Sequence, residues 1–310
     1  MEFNKTASGL IPFISVFLVV FITAAVFLCR APVIIVTDPS FNMIYGPSRA
    51  KTKNFELSIK YFRRIRQVTV SETANSEIIT EAVKFASFIP VIKKPVIPKM
   101  VFFSGFFTSA AYKYSEEFSE IPVFVLEGRT VVPIHRTDDS IPVHIQTDLE
   151  VDLFKAGVCA GTFAENNGRV LIFQEITLAQ HLRAAFEKGM ESRGFGGTTI
   201  YLEKGAEYLQ PVSCIVALTS SARFSEPNQK VPIILFSWLD PDMTPGYVKA
   251  VFDDSPWALA AGVLEKISRE PDYRSQNGNT WKLPSELILI TKRINEGNLL
   301  KKLLLTVHNR

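Results

Sequence analysis

Polar and aromatic side chains follow three short apolar runs of the sequence, at the point where each run ends. The runs are Val33–Thr37, Met100–Phe103 and Val123–Leu126, and each is typical of a buried strand. Ligands of open parallel sheets bind outside the carboxyl ends of the strands, so the side chains that follow the runs are candidates for ligand binding. These candidates are Asp38, Phe41, Asn42, Ser104, Phe106 and Arg129.

Two kinds of contact are available to this set. Arg129 carries a planar guanidinium whose paired donors can hold hydroxyl or carboxylate oxygens. Phe41 and Phe106 can stack on a flat apolar face of a small molecule. For these two residues, packing at the sheet edge is the alternative interpretation. The set is typical of a site for a small polar ligand.

The sequence lacks the common signatures of catalysis. No G-x-S-x-G, no P-loop and no G-x-G-x-x-G after a strand occurs, and no spacing supports Ser220 as a nucleophile with His181 as its base. The histidines are scattered, and Cys159 and Cys214 lie in apolar surroundings that predict buried thiols. We therefore expect no enzyme activity, no metal site and no cofactor.

The elements that position these side chains are clearest in residues 143–195. This stretch predicts a strand, a helix, a second strand and a second helix, and capping-box patterns at Thr147-x-x-Glu150 and Thr177-x-x-Gln180 open the two helices. Strand–helix–strand connections of this length impose a parallel, right-handed sheet. The predicted fold class is therefore α/β.

Four short motifs occur in order along this stretch: Asp148 after the first strand, then Lys155-Ala156-Gly157, Gly168-Arg169-Val170 and Phe186 to Gly189. In their order and spacing they resemble the type I periplasmic-binding-protein family, which includes sugar receptors, the effector domains of LacI-type repressors and nucleoside receptors. The resemblance implies two doubly wound parallel-sheet lobes that close over a small ligand by hinge motion.

The resemblance also implies site residues in the second lobe, and several depart from the pattern of sugar receptors. Gln180 lies near the place of a ligand-gripping arginine, and Ser220 stands where the family has N-D. Helix capping is the alternative role for Asp148 and Gln180. These departures, with Glu127-Gly128 before Arg129, argue against a simple pentose or hexose ligand. The implied residues are Asp148, Gln180, Ser220, Trp238 and Asp240.

The predicted division of the chain follows the same resemblance. Residues 32–137 and 240–283 are assigned to the first lobe, and residues 138–239 and 284–310 to the second. Residues 1–31 are assigned to a membrane anchor or signal segment. By the same resemblance the chain crosses between the lobes near Pro133–Pro142, Ser237–Pro245 and Gly278–Pro284. Ordinary surface loops are the alternative interpretation of these three windows.

An apolar segment precedes the first strand. Leu10–Cys29 has twenty residues and no charge, and a helix of this length spans about 30 Å, the thickness of the hydrocarbon core. An uncleaved transmembrane anchor, a lipoprotein acylated at Cys29 and a cleaved signal peptide are the three interpretations. The anchor is favoured because no small-x-small cleavage site follows. The resemblance places the large domain outside the cytoplasm, at the cell membrane.

Two functions of different class follow. The first is a tethered solute-binding protein that delivers a small polar ligand to an ABC-type permease or a sensor. The second is a two-lobe interaction domain that has lost its ligand and acts on envelope or cell-wall proteins. A net charge of +3 does not indicate nucleic acid, and the single basic cluster, Arg63-Arg64-Ile65-Arg66, is interpreted as a solvated junction.

Overall fold

The computed structural model describes residues 4–39, 47–89, 94–128, 142–164, 167–174, 177–203, 210–218, 231–236, 247–269 and 280–290, with the side chains of residues 15–39 and, in the later ranges, of all residues from 50 onward. Within these ranges the strands form two six-stranded sheets and one two-stranded ribbon. Each large sheet consists mainly of parallel strands with helices between them along the chain, so the predicted α/β class is confirmed.

The first sheet has the strand order β13-β7-β6-β5-β1-β2. Strand β1 pairs in parallel with β2 on one side and with β5 on the other, and β5 pairs in parallel with β6. All five residues of β1 are buried, as are all five of β5, because layers cover both faces of a parallel sheet. The strands are β1 (Val33–Thr37), β2 (Ile65–Thr69), β5 (Met100–Ser104), β6 (Val123–Gly128), β7 (Val143–Thr147) and β13 (Thr280–Leu283).

Four helices precede or connect these strands. Apolar side chains at helical spacing, such as Ile79 and Val83, pack on one face of the sheet against Ile34 and Val101. The helices are α1 (Asn4–Cys29), α2 (Pro47–Lys60), α3 (Ser76–Ala86) and α4 (Thr108–Glu117). The ribbon of β3 (Phe88–Ile89) and β4 (Lys94–Pro95) follows α3.

The second sheet has the order β14-β12-β11-β10-β8-β9, and its pairs are parallel except for the antiparallel edge strand β14. Alternate residues enter two different cores: Val170 and Ile172 face one, and Leu171 faces the other. The strands are β8 (Arg169–Gln174), β9 (Thr198–Glu203), β10 (Cys214–Leu218), β11 (Ile233–Leu235), β12 (Val248–Asp253) and β14 (Glu286–Leu289). The helices are α5 (Leu149–Phe163), α6 (Gln180–Glu191) and α7 (Pro256–Arg269).

The assignment of two strands to sheets differs from the predicted division. Val143–Thr147, expected to begin the second lobe, belongs to the first sheet, where β7 lies between β6 and β13. Val248–Asp253, expected in the first lobe, belongs to the second sheet. An apolar run has the same composition in either sheet, so the strands were recognisable from the sequence but their partners were not.

The predicted helix starts also need correction. Neither Thr147 nor Thr177 caps a helix. Helix α5 is capped by Asp148, whose Oδ1 accepts a hydrogen bond from the Val151 N–H at 3.2 Å. The N-cap position of α6 is Ala179, and the Thr177 hydroxyl donates instead to Glu203 at 2.7 Å. The capping pattern predicted that a helix follows, but not its first residue.

The anchor predicted over residues 10–29 falls within α1. In the part of the chain that the structure describes, no helix combines the length and the apolar character needed to cross a membrane.

Candidate functional site

The carboxyl ends of β1 and β5 bring two predicted residues to the same edge of the first sheet. Because Val36 pairs with Phe103 in parallel register, the chain leaves both strands at that edge, through Asp38 and Ser104. Both side chains are buried, with 9% of their surface exposed. The Ser104 hydroxyl has no hydrogen-bond partner among the described residues, which is uncommon for a buried polar atom.

The end of β1 is held by side-chain hydrogen bonds. Gln67 Nε2 donates to Thr37 Oγ1 at 3.0 Å, and Asn54 Nδ2 donates to Gln67 Oε1 at 3.5 Å. These bonds connect α2, β2 and the last residue of β1. They therefore fix the backbone from which Asp38 projects.

Phe106 lies directly after β5, in a short 3₁₀ turn at Gly105–Phe107. Its ring meets the buried ring of Phe107 edge-on, with the centroids 5.3 Å apart and the planes at 81°. Phe106 is nevertheless 60% exposed, so packing at the sheet edge covers less than half of its surface. An exposed aromatic side chain therefore follows Ser104 by two residues.

A second polar group occupies the ends of β6 and β7. Gln146 Nε2 donates to Glu127 Oε2 at 3.0 Å, and Asp148 caps α5. The hydroxyl of Thr147, the last residue of β7, is buried and has no partner among the described residues. Sequence reasoning did not select Glu127, Gln146 or Thr147. In the sequence, Gln146 and Thr147 form a polar pair at the end of an apolar strand. The capping pattern Thr147-x-x-Glu150 drew attention away from this pair.

The second sheet places two buried polar groups at the carboxyl ends of its strands. Gln174, the last residue of β8, accepts a hydrogen bond from the Leu178 N–H through Oε1 at 3.1 Å. Asp253, the last residue of β12, accepts one from the Ser255 N–H through Oδ1 at 2.8 Å. Gln180 lies exposed in the first turn of α6. The sequence reasoning treated Asp253 only as part of a helix start.

The electrostatics of Asp253 differ from those of an ordinary surface carboxylate. Burial raises the pKa of Asp253 to about 6, against the opposing effect of its hydrogen bonds with Ser255. The nearby carboxylates of Glu286 and Asp254 raise the pKa further. The side chain is 1% exposed, so desolvation of the charged form is the main cause.

The other predicted site residues lie outside the described ranges. They are Phe41, Asn42, Arg129, Ser220, Trp238 and Asp240. Within those ranges, no three acidic, histidine or cysteine side chains converge into a possible metal site.

Comparison with known proteins gives a fold relationship without detectable sequence similarity. No protein-family profile and no curated protein matches the sequence. A sugar-binding protein of a sugar ABC transporter from Bacillus halodurans aligns with a TM-score of 0.50 and 12% identity, over 84% of this chain and 97% of that one. An arabinose-binding protein from Geobacillus stearothermophilus aligns with a TM-score of 0.50 and 13% identity, over 85% and 97%. The chain has a type I periplasmic-binding-protein-like fold.

This assignment confirms the resemblance inferred from residues 143–195. In a type I periplasmic-binding-protein-like fold, the edges that carry Ser104, Thr147 and Asp253 are strand ends of the kind that bind ligands in open α/β sheets.

Proposed function

We propose that this protein is a solute-binding protein that holds a small polar ligand at the carboxyl edges of its sheets. The observation that carries the proposal is that strands end in buried hydroxyls, Ser104 on β5 and Thr147 on β7, each without a partner among the described residues. A buried donor left unsatisfied costs about 1–3 kcal/mol. A ligand oxygen beside either hydroxyl would remove its cost.

The chemistry of the edge indicates the class of ligand. Ser104, Thr147 and the Glu127 carboxylate can exchange hydrogen bonds with hydroxyl groups. The exposed side chain of Phe106 can stack on an apolar ring face. A sugar, a nucleoside or a similar molecule combines these features. The two structural neighbours with a TM-score of 0.50, described as sugar-binding and arabinose-binding proteins, support this choice.

We also propose that the binding domain is tethered to the outer side of the cell membrane through residues 10–29. The segment has no charge, and its large apolar side chains from Val16 to Ile22 are between 51% and 68% exposed. Contiguous exposed apolar surface of this kind marks a site of membrane or protein contact. The partner would be an ABC-type permease or another envelope protein that receives the ligand.

A thermal-shift screen of the full chain in neutral detergent tests the binding proposal. Sugars, nucleosides and amino acids are added singly, and a ligand at a hundred times its Kd should stabilise the fold by about 2.7 kcal/mol. The variants Ser104→Ala and Thr147→Ala should be at least as stable as the wild type without ligand. They should lose most of the ligand-induced shift.

Ser285→Ala is the matched control. The Ser285 hydroxyl is also buried and unpartnered among the described residues, but it lies between β13 and β14 rather than at a strand end of either parallel array. This variant should keep the full shift. A screen in which no compound moves the melting temperature would contradict the binding proposal.

The alternative function is an interaction domain that binds envelope proteins and no small ligand. It is favoured by Gln180, which stands exposed near the place of the arginine that grips ligands in sugar receptors. A flat screen, combined with recovery of the same envelope protein by wild type and Ser104→Ala after cross-linking in cells, would support this alternative.

A further inference from the structure

A groove beside α1 differs in its chemistry from the strand ends of the proposed solute-binding site. It runs between the second half of α1 and the face formed by α2 and the start of β2, with a volume of about 830 Å³. Its walls are mainly apolar and include Val20 and Ala24 from α1 and Phe55 and Ile59 from α2. Cavities of about 300–1,000 Å³ enclose most of a drug-sized molecule.

One buried cation lines this groove. Arg64, directly before β2, is only 6% exposed, which differs from the solvated junction predicted from the sequence. Its Nη2 donates to the Arg30 carbonyl oxygen at 3.1 Å. Its Nε and Nη1 have no hydrogen-bond partner among the described residues. The buried guanidinium therefore has two donors for which the described residues supply no acceptor.

The surroundings of Arg64 are positively charged. Arg30, Arg63 and Arg66 lie close by, and no described acidic side chain forms a salt bridge with any of the four arginines. Among the described residues, Arg66 Nη1 donates to the backbone carbonyls of Ala86 and Phe88. Arg30 Nη1 donates to the backbone carbonyl of Phe62. Burial lowers the pKa of Arg64, and the charge of Arg66 lowers it further. Among the residues that the structure describes, the cluster therefore has no counter-charge.

The combination of apolar walls and uncompensated arginines is selective. A free inorganic anion would meet the charge but leave the apolar walls exposed, and a neutral hydrocarbon would leave the guanidinium unsatisfied. An amphiphile with a phosphate group satisfies both parts, because its phosphate accepts paired hydrogen bonds from arginine while its chain covers the apolar walls.

We propose that this groove binds one phospholipid with an anionic headgroup. A phosphate oxygen accepts a hydrogen bond from one unused donor of Arg64, Nε or Nη1, and one acyl chain lies between α1 and the α2 side chains Phe55 and Ile59. The site is independent of the solute-binding edge, and it requires only the groove that the structure contains. It makes the groove between α1 and α2 a binding site for a specific lipid.

Native mass spectrometry of the full chain in neutral detergent tests the proposal. Phosphatidylglycerol, phosphatidylcholine and inorganic phosphate are added at equal concentration. We expect one phosphatidylglycerol per chain, with an apparent affinity at least tenfold above that of phosphatidylcholine, and no displacement by inorganic phosphate. Arg64→Gln should lower phosphatidylglycerol affinity about tenfold, the effect expected for one charged hydrogen-bond pair. Arg169→Gln removes an exposed charge elsewhere and should change nothing.

A second variant covers the case in which Arg64→Gln does not fold. Ile59→Glu places a carboxylate on a wall residue that is 62% exposed, so folding should be retained while the lipid is repelled. Equal binding of the two lipids, or displacement by inorganic phosphate alone, would overturn the proposal. Unchanged lipid binding in Ile59→Glu would overturn it as well.

Discussion

Asp253 is a hydrogen-bond acceptor at the end of a strand and also a buried group whose charge depends on pH. Its carboxylate ends β12 and accepts a hydrogen bond from the Ser255 N–H before α7 begins. Burial nevertheless disfavours the charge, and the raised pKa of about 6 compares with an ordinary value of 3.8. Between these two values the folded chain binds more protons than the unfolded chain. The stabilisation from this proton is therefore complete below pH 3.8 and is lost as pH rises through 6.

The first prediction concerns this residue. The contribution of Asp253 to the free energy of unfolding should fall by about 3 kcal/mol between pH 4 and pH 7, since one pKa unit corresponds to about 1.4 kcal/mol. Asp253→Asn retains an oxygen that can accept from Ser255 and should remove this part of the pH dependence, so the variant should be more stable than wild type at pH 7. Urea titrations at several pH values measure the difference. The exposed acid variant Glu191→Gln should keep the wild-type slope.

Individual residues differed in how far the sequence could predict them. Asp38 and Ser104 were predicted at strand ends because the apolar runs before them were unambiguous. Thr147 was interpreted as a helix cap because a hydroxyl three residues before Glu150 has that pattern. In the structure the cap falls one residue later, at Asp148, and the Thr147 hydroxyl is buried at the strand end. Whether a buried hydroxyl finds a partner depends on neighbours that are distant in the sequence.

Helices α5 and α6 approach each other closely through glycines. A methyl group at Gly157 would overlap the backbone carbonyl oxygen of Phe186, and one at Gly189 would overlap that of Phe154. Backbone on both sides prevents relaxation, since only side chains can rotate away. These two positions therefore determine how closely the helices pack beside the second sheet.

The second prediction follows from this contact. Gly157→Ala should lower the free energy of unfolding by about 3 kcal/mol, because an added group in a close-packed interior forces backbone to move. Gly262→Ala, on α7, is the matched control, since its methyl would meet only the flexible Leu283 Cδ1 at 3.2 Å. The control should be within about 1 kcal/mol of wild type because alanine favours helix. Chemical denaturation of both variants measures the contrast. Equal stability of the two variants would show that α5 and α6 can separate without cost.

At the scale of elements, the sequence predicted most strands within one or two residues. Val33–Thr37 was predicted with the bounds that the structure has, and the predicted run Met100–Phe103 ends one residue before β5 does. The first residue of each helix and the sheet to which each strand belongs were harder to predict from the sequence. Strand β12 follows a chain segment rich in proline and polar residues, which suggested a crossing between lobes, yet β12 pairs with β11. Local composition predicts an element, whereas its partner depends on contacts far along the chain.

The molecule as a whole combines the uncharged segment of residues 10–29 with a small net charge of +3. The exposed side chains of α1 from Val16 to Ile22 have no polar surface between them, and the tether proposed for residues 10–29 accounts for this arrangement. No family profile matches the chain, so the two-sheet architecture was predictable only from the order of its motifs.

The third prediction concerns this tether. The full chain should remain in the membrane fraction of cells after a wash with alkaline carbonate. The double variant Phe17→Glu and Phe21→Glu should be released, because a carboxylate at the centre of a spanning helix costs about 3 kcal/mol. Phe85→Glu, at a site on α3 that is 84% exposed, should stay in the membrane fraction. Release of the wild-type chain by the carbonate wash would contradict the tether.

The sulfur atoms of Cys159 and Cys214 are fully enclosed in the core between α5 and the second sheet. Burial raises the pKa of Cys159 to about 12 and raises that of Cys214 as well, so neither side chain forms the nucleophilic thiolate at neutral pH. Alkylating reagents therefore reach these two atoms only when that core opens, whereas Cys29 is open to them in the folded chain. The rate at which the two enclosed cysteines become labelled would report the opening of this core without any added probe.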